Sequence, residues 1–143
     1  MDWNNKEEVL DKVFYRPSTL EYAPYKIRNN KEIVLEAVRT YGGALKYASN
    51  KLKNNKGVVL EAVKECGWAL QFASDNLKNN IDIVWTAISE RGSSLKYASD
   101  EIKNNIKVVK RAIDWDKTNY EYAGDKIKEQ FPTIEEFLRS NKI

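Results

Sequence analysis

The pair Asn-Asn returns at Asn4-Asn5, Asn29-Asn30, Asn54-Asn55, Asn79-Asn80 and Asn104-Asn105, a period of 25 residues without insertion. Cut there, the chain is five units, 4–28, 29–53, 54–78, 79–103 and 104–128, with a C-terminal tail, 129–143. A fixed period of this length marks a stacked repeat architecture, because a unit this small cannot bury an apolar face alone. Each unit must complete the core of its neighbours.

Within a unit the apolar residues fall at helical spacing. Ile33, Val34, Ala37, Val38 and Tyr41 form an i, i+1, i+4, i+5, i+8 stripe, the signature of a short amphipathic helix. Asn30 is placed to cap it, Glu32 suits the positive helix end, and Gly42 follows where a left-handed residue would end it. Asn55 and Gly67, then Asn80 and Gly92, repeat this punctuation. A second stripe, Leu45, Ala48 and Leu52 with Tyr47 beside it, ends in Lys53, and Ser49 is a candidate break within it. The expected fold is all-α: one domain over residues 1–143, an α-solenoid of five helical hairpins with a short capping helix in the tail. Neighbouring helices in such a stack lie about 8–10 Å apart. Leucine-rich units have a similar period, but these copies lack the L-x-x-L-x-L strand.

The pattern N-N-x-x-x-V-x-x-A-V-x-x-x-G-x-A-L-x-Y-A-S-x-x-L-K resembles the tandem helical repeats of domain of unknown function 4116. Val34, Ala37, Val38, Gly42, Ala44, Leu45, Tyr47, Ala48 and Ser49 carry the likeness in the second copy, with counterparts in the third and fourth. The resemblance implies a repeat scaffold found in bacteria, including intracellular pathogens, and in large viruses. It implies a setting as a secreted effector or viral protein and supplies no catalytic residues. The first copy departs with Pro17 and Pro24, and the fifth with Lys117 and Gly124, as terminal capping units would.

The inventory removes most familiar chemistry. The chain has no histidine and one cysteine, Cys66, which excludes His-based acid/base catalysis, His/Cys zinc sites, disulfide frameworks and Ser-His-Asp triads. The glycines are solitary, so no phosphate-binding loop is present. No cofactor is implied. Asp75, Asp100 and Asp125 form a column of one carboxylate per unit, which does not converge on a metal ion. Twenty-four Lys+Arg against 21 Asp+Glu leave a net charge of +3, too little to draw nucleic acid by net charge alone. The start, MDWNNKEEVL, is no signal peptide, and no window reaches the roughly 18 apolar residues of a membrane span. The expectation is a soluble cytoplasmic protein, in the host cytoplasm if delivered or virally expressed.

Residues that the stack needs should recur, and residues that serve a partner are free to differ. The registers of Val34, Ala37, Leu45 and Leu52 recur and are core. So does the aromatic ladder Tyr47, Phe72, Tyr97 and Tyr122, read as packing. The tryptophans do not recur: Trp68 stands in the register of Gly43 and Ser93, Trp85 in that of Leu35 and Leu60, and Trp115 in that of Thr40 and Glu90. Each either fills a local gap or contacts a partner, since tryptophan is enriched at interface hot spots. Tyr41 and Arg91 share a turn position with Cys66. Together Tyr41, Trp68, Trp85, Arg91 and Trp115 form the expected surface of a non-enzymatic module that binds another protein. The resemblance extends this to an inhibitor or effector occluding a host protein. The alternative is single-stranded RNA or DNA binding along one cation per unit, Arg28, Lys53, Lys78, Lys103 and Lys128. Dipole and capping needs at a helix C-terminus also account for that row.

Overall fold

The computed structural model describes residues 1–141, so the last two positions of the 129–143 tail lie outside the described residues. The chain is an all-α repeat solenoid, without strands among the described residues. Each interior unit holds three helical pieces. The long helices are α1 (Lys6–Tyr15), α3 (Lys31–Thr40), α5 (Lys56–Glu65), α7 (Ile81–Glu90) and α9 (Ile106–Ile113). Each is followed by a six-residue 3-10 helix, such as Gly42–Tyr47 and Gly67–Phe72. Short α-helices close the units: α2 (Tyr25–Arg28), α4 (Asn50–Lys53), α6 (Asp75–Lys78), α8 (Asp100–Lys103) and α10 (Asp125–Gln130). The tail adds α11 (Ile134–Ser140). Long helices pack side by side in one layer, and the 3-10 helices stack in a second. Val34, Ala37, Val38, Leu45 and their counterparts in the third and fourth units fill the space between, fully buried.

The second stripe divides at the expected Ser49 break: it changes from 3-10 to α at Ala48 and Ser49, both extended, and the Ser49 hydroxyl caps the short helix by accepting from Leu52 N at 3.2 Å. One expectation is corrected. The glycines are not left-handed, since no described glycine has positive φ. Gly42 opens the 3-10 helix after an extended Tyr41. Its lack of a side chain makes room for the next unit, because a Cβ there would fall well under 3.0 Å from the carbonyl oxygen of Ala62. Gly67 faces Ala87 in the same way, and at Gly92 the gap to Ala112 O would be 2.7 Å. The fifth unit carries Lys117 in this register.

The Asn-Asn pair divides its labour. The second asparagine caps the long helix, as Asn30 Oδ1 does by accepting from Glu32 N at 3.1 Å and Ile33 N at 3.2 Å. The first ties the start of its unit to the short helix at the end of the same unit: Ser49 Oγ donates to Asn29 Oδ1 at 2.7 Å, Ser74 Oγ to Asn54 Oδ1 at 2.5 Å, and Ser99 Oγ to Asn79 Oδ1. The same serines donate their backbone N–H to the preceding unit, Ser49 to Arg28 O at 2.8 Å and Ser74 to Lys53 O at 3.0 Å. In the last unit Gly124 keeps the backbone bond, to Lys103 O at 2.8 Å, while Asn104 Oδ1 accepts from Lys126 N at 3.0 Å.

One core position breaks the pattern. Ser94 stands in the register of Ala44 and Ala69, is fully buried, and its hydroxyl has no hydrogen-bond partner among the described residues. Replacing Ser94 by Ala removes a desolvated, unpaired group and is expected to raise stability by about 1 kcal/mol. A urea midpoint unchanged or lower in the variant would show that the hydroxyl is satisfied.

Candidate functional site

The turn edge forms where each long helix ends in an extended residue, which brings positions 41, 66 and 91 into one row down the stack. Tyr41 and Trp68 meet there edge to face, ring centroids 5.9 Å apart, and Trp68 meets Phe72 at 5.8 Å. The space they use is that of Gly43, where a Cβ would strike both rings. Trp68 is therefore half-buried filler between units, while Tyr41 stays 44% exposed. Cys66 sits behind this pair. Burial pushes its thiol above the ordinary range, outweighing the opposing hydrogen bond with the Trp68 backbone. Arg91 is exposed, and Trp115 packs its Cβ over the neighbouring Gly92 with 54% of its surface open.

Trp85 lies elsewhere. It is the fifth residue of α7, on the long-helix face, and 42% exposed where Leu10, Leu35 and Leu60 are half-buried against the core. The expected single surface is thus two surfaces, an edge with Tyr41, Trp68, Arg91 and Trp115, and a face with Trp85. The face holds residues that the aromatic-centred reading passed over. Ile81, one helical turn before Trp85, and Ile106 at the start of α9 are both exposed, in a register filled by Lys6, Lys31 and Lys56 in the first three units. That switch of residue class was visible in the sequence. In the last unit Lys110 takes the Trp85 register and donates to Asn141 O at 3.2 Å, fixing the end of α11.

The cation row is real as geometry and partly engaged. All five residues are half-buried on the short helices, and the first four end them. Arg28 Nε donates to Ala23 O at 3.0 Å and Lys128 Nζ to Glu121 O at 2.6 Å, and Lys103 lies 3.9 Å from Asp100. Burial pushes the Lys53 ammonium below its ordinary range, and the Arg28 charge adds to the shift. The groove beside the row mixes Lys78, Lys103 and Lys128 with Asp75, Asp100 and Asp125. The aromatic ladder is half-buried, with the ammonium groups of Lys46 and Lys96 over the rings of Tyr47 and Tyr97 at 4.5 and 4.8 Å. No described helix is long and apolar enough to cross a membrane.

A family model described as domain of unknown function (DUF4116) matches the chain three times, over residues 5–53, 55–102 and 80–128. Neither the curated proteins nor the solved structures gave a match.

Proposed function

The chain belongs to the DUF4116 family of tandem repeats, and from that premise we propose that it is a non-enzymatic module that binds another protein. One observation carries the reading. Ile81, Trp85 and Ile106 are exposed together on α7 and α9, in registers that the first three units fill with lysine or half-buried leucine. An apolar cluster of this kind serves no stacking role and is costly to leave wet, which supports a docking face centred on a tryptophan. The exposed Tyr41, Arg91 and Trp115 extend the contact onto the turn edge. The mode of action is occlusion or scaffolding, with a delivered effector or viral inhibitor on a host protein as the setting.

The test uses residues the scaffold already accepts. Ile81→Lys, Trp85→Leu and Ile106→Lys together restore the residues of the earlier units, so the helical circular dichroism is expected to be unchanged. Partners captured from lysate of the native host by the wild-type chain are expected to fall at least about tenfold, the loss of a hot spot worth roughly 1.4 kcal/mol or more. Equal capture by both chains would remove this face from the account. Salt-sensitive oligonucleotide binding, lost on replacing Lys53, Lys78 and Lys103 by Ala, would put the nucleic-acid reading in its place.

A further inference from the structure

We propose that the N-terminal end of the stack is closed to any further repeat, by Glu8, Lys12 and Pro24. Each stands in a register that interior units use to join the unit before them. In the Pro24 register, Ser49, Ser74 and Ser99 give one hydrogen bond backwards, from the backbone N–H to the last residue of the preceding unit, and a second from the hydroxyl to the first asparagine of their own unit. Proline has neither donor. A repeat stacked ahead of residue 4 would leave the carbonyl of its last residue without this donor at the junction.

The long helix carries the other two. Ala37, Ala62, Ala87 and Ala112 are fully buried, and the Ala62, Ala87 and Ala112 carbonyls seat against a glycine of the preceding unit, so this register faces backwards. Its first-unit member is Lys12, which is exposed. One turn earlier, Ile33, Val58, Ile83 and Val108 are buried, and their counterpart is Glu8, half-exposed. A preceding repeat would bury both charges, which is strongly unfavourable without full pairing. The open end also explains Tyr22, 80% exposed where Tyr47, Phe72, Tyr97 and Tyr122 are half-buried.

The opposite end is covered by α11, whose Phe137 is fully buried. Head-to-tail stacking of copies, which generates open filaments, therefore has no acceptor at either end. The chain acts as one block of five units, and a partner of its N-terminal end is not another repeat of this kind.

The test inserts a copy of residues 29–53 between Trp3 and Asn4 of the full chain. With Glu8, Lys12 and Pro24 in place, amides of the inserted unit are expected to exchange at nearly the rate of an unfolded chain. With Glu8→Ile, Lys12→Ala and Pro24→Ser they are expected to slow by about 100-fold as the unit docks. The same three changes without the insert control for folding of the stack. If that control is unfolded, Pro24→Ser alone carries the test, since it restores both donors and is expected to give partial protection. Protection of the inserted unit with the native residues, or no protection with the replacements, would overturn the proposal.

Discussion

Phe137→Ala is expected to lower stability by about 3–5 kcal/mol, the usual loss for emptying a buried aromatic site. Phe137 is fully buried, its ring 5.4 Å from Tyr120 and 5.6 Å from Phe131. Tyr120 stands in the register of Leu20, Leu45, Leu70 and Leu95, and its larger side chain reaches out of the last unit to donate to the Phe131 carbonyl. These three rings are the seat of α11 on the exposed side of the fifth unit. A solenoid gains stability from each unit's contacts with its neighbours, so the loss should start at this end. Amide exchange is expected to quicken first in α9, α10 and α11 while α3 and α5 keep their protection. A loss under about 1 kcal/mol, or one spread evenly over all units, would show that the tail is not a structural cap.

Gly67→Ala is expected to cost about 3 kcal/mol or more, at the upper end of overpacking effects, because the obstacle is backbone and not a flexible side chain. The added Cβ would lie well under 3.0 Å from Ala87 O and 2.8 Å from Ser94 Oγ. The third and fourth units must then part, and interior units are held on both sides. The first unit tolerates Pro17 in this register, where the preceding Arg16 has ψ 83° against 103–111° at Tyr41, Cys66 and Arg91. A terminal unit can make that adjustment. Gly57 is the contrast: exposed inside α5, with its nearest neighbour, Asn55 Oδ1, 3.4 Å from an added Cβ. Gly57→Ala should stabilise by about 0.5–1 kcal/mol through helix propensity. Urea midpoints moving in opposite directions would confirm that Gly67 is required by close approach. Similar small shifts at both sites would contradict it.

The long helices were legible because capping and apolar spacing are local: Asn30, Ile33 and Val38 lie within one window. The 3-10 helices were not, since a six-residue segment holds too little periodicity to separate from the helix after it. Gly42 was found by its recurrence and assigned the wrong cause, because its reason is Ala62 in the next unit. The bond from the Ser49 backbone N–H to the Arg28 carbonyl likewise joins two units, beyond any reading of one unit alone. At the candidate site the sequence singled out the tryptophans but not their separation into an edge and a face. The fit of Trp68 over Gly43 is a large-for-small exchange between neighbouring units, which depends on knowing that those registers touch. Ile81 and Ile106 were readable as departures from a lysine column.

Hydroxyl-radical footprinting of the chain alone and with its captured partner, combined with lysine labelling, addresses the docking face directly. The account predicts that Ile81, Trp85 and Ile106 oxidise several-fold more slowly in the complex, as desolvated hot-spot residues should, while labelling of Lys53, Lys78 and Lys103 is unchanged. Full reactivity at Trp85 in the complex, with the lysine row protected, would contradict it.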